Sequence, residues 1–371
     1  MHCKKKVIII ISVIIMCSIG MFWCIKGFDR TDSSKNVTSN SDKKSINLAE
    51  KNNCIKVSDN IIKSTDKIEE VCVSDDSMNE QHVIIEHTNK RNLVYEKDKE
   101  KQIVKELPAE SKIVLTKIYN KYIIFMEKNI EKHGEELFEV NTIYIYDTQS
   151  KSLTKVNGGS TAKKSDGTYY TNQYVVDFMK VYNGKVFYCL YKQTDNDSCE
   201  SAVYMYDIEN KNEQRIYTNE RSEDKNVGII SFDVDIEKGF LICQESDNNY
   251  ERLELINLNK NSRRILAKTK GMFELRLNYP QVVFNLDKDI HIYNIEKDED
   301  DLCIKCDDAP YGIDLVDNKL IFTTKKSYCY SFKTKKLYDI KDAKYGLKAN
   351  DRYIYYADKN KLYYMNIEDL K

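Results

Sequence analysis

This 371-residue chain has almost no net charge and few histidines, and each of these features excludes some classes of function. The formal net charge is -1 at pH 7, so no overall field favours nucleic acid or an acidic substrate. The five histidines do not combine with a cysteine pair into the ligand pattern of a zinc site, so the sequence predicts no metal site and no cofactor. A G-x-S-x-G nucleophile elbow is also absent. These absences favour a binding protein over an enzyme.

Tyrosine is plentiful, with 27 copies, and it recurs in short strand-forming runs that favour β structure. Seven copies of one hairpin pattern follow each other from residue 91 to the end of the chain. In each copy apolar residues alternate, a polar residue follows, and a polar turn leads to a second alternating strand. Short polar side chains suit that position because they accept hydrogen bonds from backbone groups two residues on. The polar positions are Glu96, Asp147, Asp207, Asn257, Asn294, Ser331 and Asn366.

A further strand pair precedes most of these hairpins, so the repeating unit has four strands. Successive polar positions are 35 to 60 residues apart, which brackets the ~45-residue period of a propeller blade. The sequence predicts an all-β fold, a β-propeller of seven four-stranded blades, with six blades as the alternative if residues 82–107 complete the last one. Because no fourth strand follows Asn366, we expect residues 67–74 to lie against the last blade and close the ring.

An uncharged run of 19 residues, 7–25, follows three lysines near the amino terminus. Its length is close to the ~20 residues that a membrane-spanning helix needs. Lysines on the short leading side predict a cytoplasmic amino terminus and translocation of everything after Lys26. The alternatives are a signal peptide cleaved after Gly20 and a lipoprotein modified at Cys17 or Cys24.

The sequence therefore predicts three parts. Residues 1–28 contain the cytoplasmic lysines and a transmembrane signal-anchor, 29–66 a flexible polar tether, and 67–371 the propeller. The tether is rich in Ser, Asn, Asp and Lys and has too little apolar surface to offset its ordering entropy. We expect a monomeric, single-pass protein of the cell membrane with an extracytoplasmic carboxy-terminal domain.

Two short motifs carry a family resemblance. "YYAD" at 355–358, and more loosely "FNLD" at 284–287, resemble the YWTD repeat of lipoprotein-receptor-like propellers. The tryptophan of that motif is missing, since the single Trp23 lies in the membrane segment. Its absence argues against WD-repeat and quinoprotein-type blades. Residues 82–371 look like a bacterial extracytoplasmic propeller of the YWTD or TolB-like kind, and this resemblance implies binding and scaffolding.

Charged residues on the first strand of each blade are the predicted site, because those strands line the central channel of a propeller. The predicted ligand-binding positions are Asp177, Asp233, Glu274, Arg276, Asp314 and Lys348. Convergent carboxylates would hold a cation or a basic ligand, whereas dispersed ones would be the polar lining of a wet channel. We predict no catalytic residue. The leading hypothesis is a binding or scaffold module for a protein or glycan partner, and the alternative is a propeller-type hydrolase or lyase with a carboxylate site at the channel.

Two insertions and the cysteines outside the anchor also have predicted structures. Residues 127–139, around His133, are predicted to be a solvated loop with a short helix. "SDGTYY" at 165–170 is predicted to be a tight turn, since Asp-Gly favours hairpins. Eight cysteines lie outside the anchor. They are either disulfide-bonded, with Cys189–Cys199 and Cys303–Cys306 near in sequence, or buried thiols packed as small hydrophobes.

Overall fold

The architecture was analysed in a computed structural model. It describes residues 54–56, 61–63, 69–71, 81–87, 91–97, 100–193, 199–219, 228–246, 250–271, 273–316, 318–340, 348–349, 353–358 and 361–366. All of them belong to the compact unit Lys44–Lys371. The predicted membrane segment 7–25 lies outside the described residues. Within the described part of the chain, no helix has the length and apolar character needed to cross a membrane.

Three short strands come first, and the remaining strands form successive sheets. The short strands are β1 (Cys54–Lys56), β2 (Ile61–Lys63) and β3 (Glu69–Val71). Sheet 1 contains β4 (Gln81–His87), β5 (Arg91–Lys97) and β6 (Glu100–Leu107). Sheet 2 contains β7 (Lys112–Tyr119), β8 (Tyr122–His133), β9 (Glu136–Asp147) and β10 (Ser152–Gly158). Sheet 3 contains β11 (Ser160–Lys163), β12 (Tyr169–Tyr182), β13 (Lys185–Gln193), β14 (Cys199–Asp207) and β15 (Asn212–Thr218).

The second half of the chain continues the same arrangement. Sheet 4 contains β16 (Gly228–Asp235), β17 (Phe240–Ser246), β18 (Glu251–Asn257) and β19 (Ser262–Thr269). Sheet 5 contains β20 (Leu275–Asn278), β21 (Gln281–Leu286), β22 (Asp289–Asn294) and β23 (Glu299–Lys305). Sheet 6 contains β24 (Tyr311–Val316), β25 (Lys319–Thr323), β26 (Ser327–Ser331) and β27 (Lys336–Ile340). Sheet 7 contains β28 (Lys348–Ala349), β29 (Tyr353–Asp358) and β30 (Lys361–Asn366).

A repeated turn joins the strands of these sheets, and it confirms the role predicted for the polar position. In five sheets the polar residue ends a strand, and its side-chain oxygen accepts backbone N–H groups two or three residues on at 2.9–3.2 Å. Four residues after each of them the backbone is left-handed, with φ of 47–58°. Those left-handed residues are Lys151, Lys211, Asn261, Asp298 and Lys335. The side chains of Glu96 and Asn366 lie outside the described residues.

Six strands, one from each sheet from sheet 2 to sheet 7, lie where neighbouring sheets meet, and we call them the inner strands: β7, β12, β16, β20, β24 and β28. Each inner strand contacts the next one along the chain. Hydrophobic clusters fill the space between successive sheets from sheet 1 to sheet 6, for example Phe125 with Leu93 and Tyr188 with Met126. Sheets 2 to 5 therefore bury both of their faces against neighbours, which is the packing of a β-propeller. The predicted propeller is confirmed.

The described strands form seven sheets, in agreement with the larger of the two predicted blade counts. Residues 81–107 form a three-stranded sheet of their own, and do not complete the last one. That place is taken by β3, which pairs antiparallel with β30 through Glu69 and Tyr364, Glu70 and Tyr363, and Val71 and Leu362. The predicted closure of the last blade by residues 67–74 is therefore confirmed.

Two further strands come from the segment predicted to be a tether. β1 pairs in parallel with the outer strand β23 of sheet 5, and β2 pairs in parallel with β27 of sheet 6. The chain thus adds a strand to each of two sheets before it reaches sheet 7. The strand-forming part of the chain accordingly begins by residue 54, earlier than the predicted boundary at 67.

Among the described cysteines, the structure agrees with the buried-thiol interpretation. Cys243, Cys306 and Cys329 are buried free thiols, and the Cys189 thiol donates to the carbonyl of Ile229 at 3.7 Å. Burial raises the pKa of the Cys306 and Cys329 thiols to about 12. Because the thiolate is the nucleophile, these two thiols are chemically inert near neutral pH.

Candidate functional site

All six predicted channel positions lie on or beside the inner strands. Asp177 is in β12, Asp233 in β16, Arg276 in β20, Asp314 in β24 and Lys348 in β28, and Glu274 directly precedes β20. The side chains of Asp177 and Lys348 lie outside the described residues. The other four are brought into contacts between neighbouring sheets.

Asp233 joins three sheets. The residue is 4% exposed, and its carboxylate accepts the backbone N–H of Val234 at 2.8 Å and that of Leu277, in sheet 5, at 2.7 Å. The ammonium of Lys180, in sheet 3, pairs with the same carboxylate and also donates to the carbonyl of Val234 at 3.0 Å. Three donors from three sheets therefore hold Asp233 in one position.

Glu274 and Arg276 make the next contacts along the ring. The Glu274 carboxylate accepts the backbone N–H of Ile313, in sheet 6, at 2.7 Å. The Arg276 Nε lies 3.2 Å from Asp314 Oδ1, with 34% and 24% of the two side chains exposed. Arg276 also donates to the carbonyl of Leu275 at 2.7 Å. The described charges of the predicted site thus bond across sheet boundaries; Asp233 is buried, whereas Glu274, Arg276 and Asp314 are partly exposed.

Sequence reasoning did not select Lys180. A shift of register between Val175 and Met179 interrupts the alternation of β12, so the face to which Lys180 points could not be read from period-2 spacing. A signal was present, since Lys180 is the lone cation near Asp177 in "VDFMKVY".

A second candidate surface comes from the two insertions. β8 and β9 pair without interruption from Tyr122–Asp147 to His133–Glu136, whereas β7 accompanies β8 only as far as Lys128. The strands turn at Gly134, whose φ of +66° is accessible to glycine. Residues 129–139 are therefore a projecting β-hairpin. The predicted loop with a short helix was wrong, because the charged segment pairs with itself and packs on a second hairpin.

That second hairpin is formed by β11 and the start of β12. Residues 164–168 make its turn, in which Gly167 has a φ of +93° and Asp166 accepts the backbone N–H of Thr168 at 2.9 Å. The predicted tight turn at "SDGTYY" is confirmed. We call residues 129–139 together with 160–173 the hairpin pair.

Contacts through His133 join the two hairpins. Its ring stacks on Tyr169 with 4.0 Å between ring centroids. The Thr161 hydroxyl donates to Glu131 Oε2 at 2.7 Å and lies 2.6 Å from His133 Nε2. Because that hydroxyl has one proton, and donates it to Glu131, it accepts the Nε2–H of His133. The hairpin pair is consequently a rigid unit rather than two independent loops.

The surface of the hairpin pair combines apolar and cationic groups. Leu137 is 62% exposed and Ile130 37% exposed. Lys163 lies over the ring of Tyr169 and Lys164 over that of Tyr170, at 5.8 and 5.6 Å from the centroids. Exposed apolar side chains on a projecting, ordered element are typical of a contact surface for another molecule.

The sheets and their packing define the class of this protein as a β-propeller. It is similar to the β-propeller domain of the Trilobed protease from Pyrococcus furiosus, with 13% identity and a TM-score of 0.44 over 69% of this chain and 82% of that one. It is also similar to Sqt1 from Saccharomyces cerevisiae, with 13% identity and a TM-score of 0.47 over 78% of this chain and 81% of that one. A third similar structure is TolB from Acinetobacter baumannii, with 10% identity and a TM-score of 0.38 over 67% of this chain and 80% of that one. No protein-family model and no curated protein matches the chain. Likeness at this level concerns the fold and gives no argument about function.

Proposed function

We propose that this protein is a membrane-anchored, extracytoplasmic β-propeller that acts as a binding module for a protein partner through its hairpin pair. The observation that carries the proposal is the hairpin pair itself. Its residues add little to the cores between the sheets, yet they are ordered by stacking and hydrogen bonds between the two hairpins. Ordering such a segment costs conformational entropy. A binding role explains why an element outside the core is ordered despite that cost.

The chemistry of the surface favours a protein over a glycan. Leu137 and Ile130 are aliphatic and exposed, and exposed apolar patches with a charged rim are characteristic of protein contacts. Lys163 and Lys164 on one hairpin and Glu131, Glu135, Glu136 and Glu139 on the other supply charges of both signs, which would orient a partner with a complementary surface.

The inner strands support binding rather than catalysis. The described carboxylates among the predicted channel residues each accept a hydrogen bond or an ion pair from a neighbouring sheet. Groups fixed in this way stabilise the ring, and a hydrolase or lyase would need a carboxylate that reaches a substrate. The membrane anchor is proposed from the 19-residue apolar run and its leading lysines.

A photo-crosslinking amino acid tests the binding surface in the full-length protein in its native membrane. It is placed at Leu137 and, as the matched control, at Ile103, which is 64% exposed on sheet 1 against 62% for Leu137. We expect one protein to be captured from position 137 and several-fold less from position 103. Tyr169→Ala, which removes the stack between the hairpins, should reduce the yield at 137, whereas Tyr250→Ala should not.

Equal capture at the two positions would contradict the assignment of the hairpin pair. If glycosidases but not proteases digest the crosslinked partner, the partner is a glycan and the proposed protein partner is wrong. Protease added to intact protoplasts tests the topology independently: it should digest the propeller and leave a small membrane fragment, and full protection of the chain would overturn the proposed orientation.

A further inference from the structure

Sheet 5 brings together three metal-binding side chains that are dispersed in the sequence. Asp289 and His291 alternate on β22, and Cys303 is the register partner of His291 on β23. The donor atoms of these three residues all lie within 4.8 Å of one another. His291 is 6% exposed, and Asp289 and Cys303 are partly buried. The cluster is separate from the inner strands and from the hairpin pair.

Another carboxylate stands behind the imidazole. Asp300 Oδ2 lies 3.4 Å from His291 Nδ1, and Asp300 Oδ1 is buried with no hydrogen-bond partner among the described residues. With the proton on Nδ1 facing Asp300, the imidazole presents Nε2 as a ligand atom. This carboxylate–histidine arrangement is the usual outer support of a metal-bound imidazole. The ring of Phe284 stacks on the imidazole of His291, with 5.3 Å between the ring centroids, and restricts its movement.

The donor set selects the kind of metal. Imidazole, thiolate and carboxylate are ligands of zinc, whereas calcium and magnesium take oxygen ligands. Zinc bonds of about 2.0–2.3 Å place tetrahedral donor atoms about 3.3–3.8 Å apart. The longest edge of the donor triangle therefore has to contract by about 1 Å, which side-chain rotation provides.

We propose that sheet 5 binds a zinc ion through Asp289, His291 and Cys303, with Asp300 as the residue that positions the imidazole. Binding releases the thiol proton of Cys303 to solvent and leaves oxidation states unchanged. The ion ties β22 to β23.

The experiment measures zinc in the full-length protein, purified with a reductant and without chelators. We expect about one zinc per chain, and less than a tenth of that in His291→Ala and Cys303→Ser. His133→Ala and Cys329→Ala are the matched controls, because they remove the same side chains elsewhere, and they should keep the metal. Circular dichroism of each variant shows whether it folds.

Cobalt substitution keeps the test decisive if a variant folds poorly. Co²⁺ added to the zinc-depleted protein should produce a thiolate-to-cobalt charge-transfer band and the visible bands of a tetrahedral site. Cys303→Ser should abolish the charge-transfer band. Asp300→Asn should weaken zinc affinity about 10- to 100-fold, whereas Asp308→Asn should leave it unchanged. Protein without zinc and without cobalt bands would overturn the proposal.

Discussion

Replacement of Lys105 by Met is expected to destabilise the propeller more than any single surface substitution. The Lys105 ammonium, from sheet 1, pairs with the Glu127 carboxylate of sheet 2. Glu127 is fully buried, whereas 19% of the Lys105 side chain is exposed. Lys105 also lies 4.4 Å from the centroid of the Tyr144 ring. The pair is therefore a charged contact at the boundary between two sheets.

The magnitude follows from what each substitution leaves behind. Lys105→Met leaves a buried carboxylate without its cation, which costs about 3–5 kcal/mol of unfolding free energy. Glu127→Gln leaves a lysine that can turn toward water, so we expect a smaller loss of about 1.5–3 kcal/mol, as for a hydrogen bond between charged groups. The double variant Lys105→Met/Glu127→Met removes both charges and should regain most of the stability that Lys105→Met loses.

Chemical denaturation of the fragment 44–371, followed by circular dichroism, measures these differences. Lys121→Met is the matched control. Lys121 forms an ion pair with Asp147 at 3.0 Å and lies over the ring of Tyr122 at 5.1 Å, but 37% of its side chain is exposed. Its removal should therefore cost clearly less stability than Lys105→Met. If Lys105→Met costs no more than Lys121→Met, burial does not control the energy of this contact and the reasoning is refuted.

Three further predictions concern the closure of the ring and the repeated turn. Deleting residues 67–73 from the fragment 44–371 removes β3 and leaves one edge of β30 unpaired, so this variant should melt at a clearly lower temperature than the intact fragment. Deleting residues 31–50 from the full chain should leave its melting temperature unchanged. Equal melting of the fragment with and without residues 67–73 would show that closure contributes nothing. Lys211 is exposed and left-handed, with a φ of 52°, so Lys211→Gly should stabilise the fragment by up to about 1 kcal/mol while Lys211→Ala should not. The hydrogen bond from the backbone N–H of Asn210 is the main cause that lowers the pKa of Asp207. The turn should therefore lose stability as pH falls through that lowered pKa. Asp207→Asn should remove this pH dependence of stability, and an unchanged pH profile in that variant would contradict the assignment.

The sequence alone determined the features that depend on neighbours along the chain. Strand alternation and the polar turn recur at fixed spacing, and the structure shows the same turn at Asp147 and Asp207 with the same hydrogen bonds. Closure of the last sheet was also predictable, because a ring with a missing strand must take one from the other end of the chain. That reasoning located β3 without any knowledge of its side chains.

Tertiary structure decided the features that depend on register between strands. The partner of Asp233 is Lys180, 53 residues earlier, and a register shift in β12 conceals which face Lys180 occupies. Residues 127–139 carry a charge pattern suited to a solvated loop, and they become strand because the second hairpin provides Tyr169 and Thr161 as partners for His133. His291 and Cys303 show no metal-ligand spacing along the chain, yet an antiparallel pair places them opposite each other. Periodicity fixes which residues form a strand, but the contacts of a side chain depend on which strand lies beside it, and that is settled only when the sheets assemble.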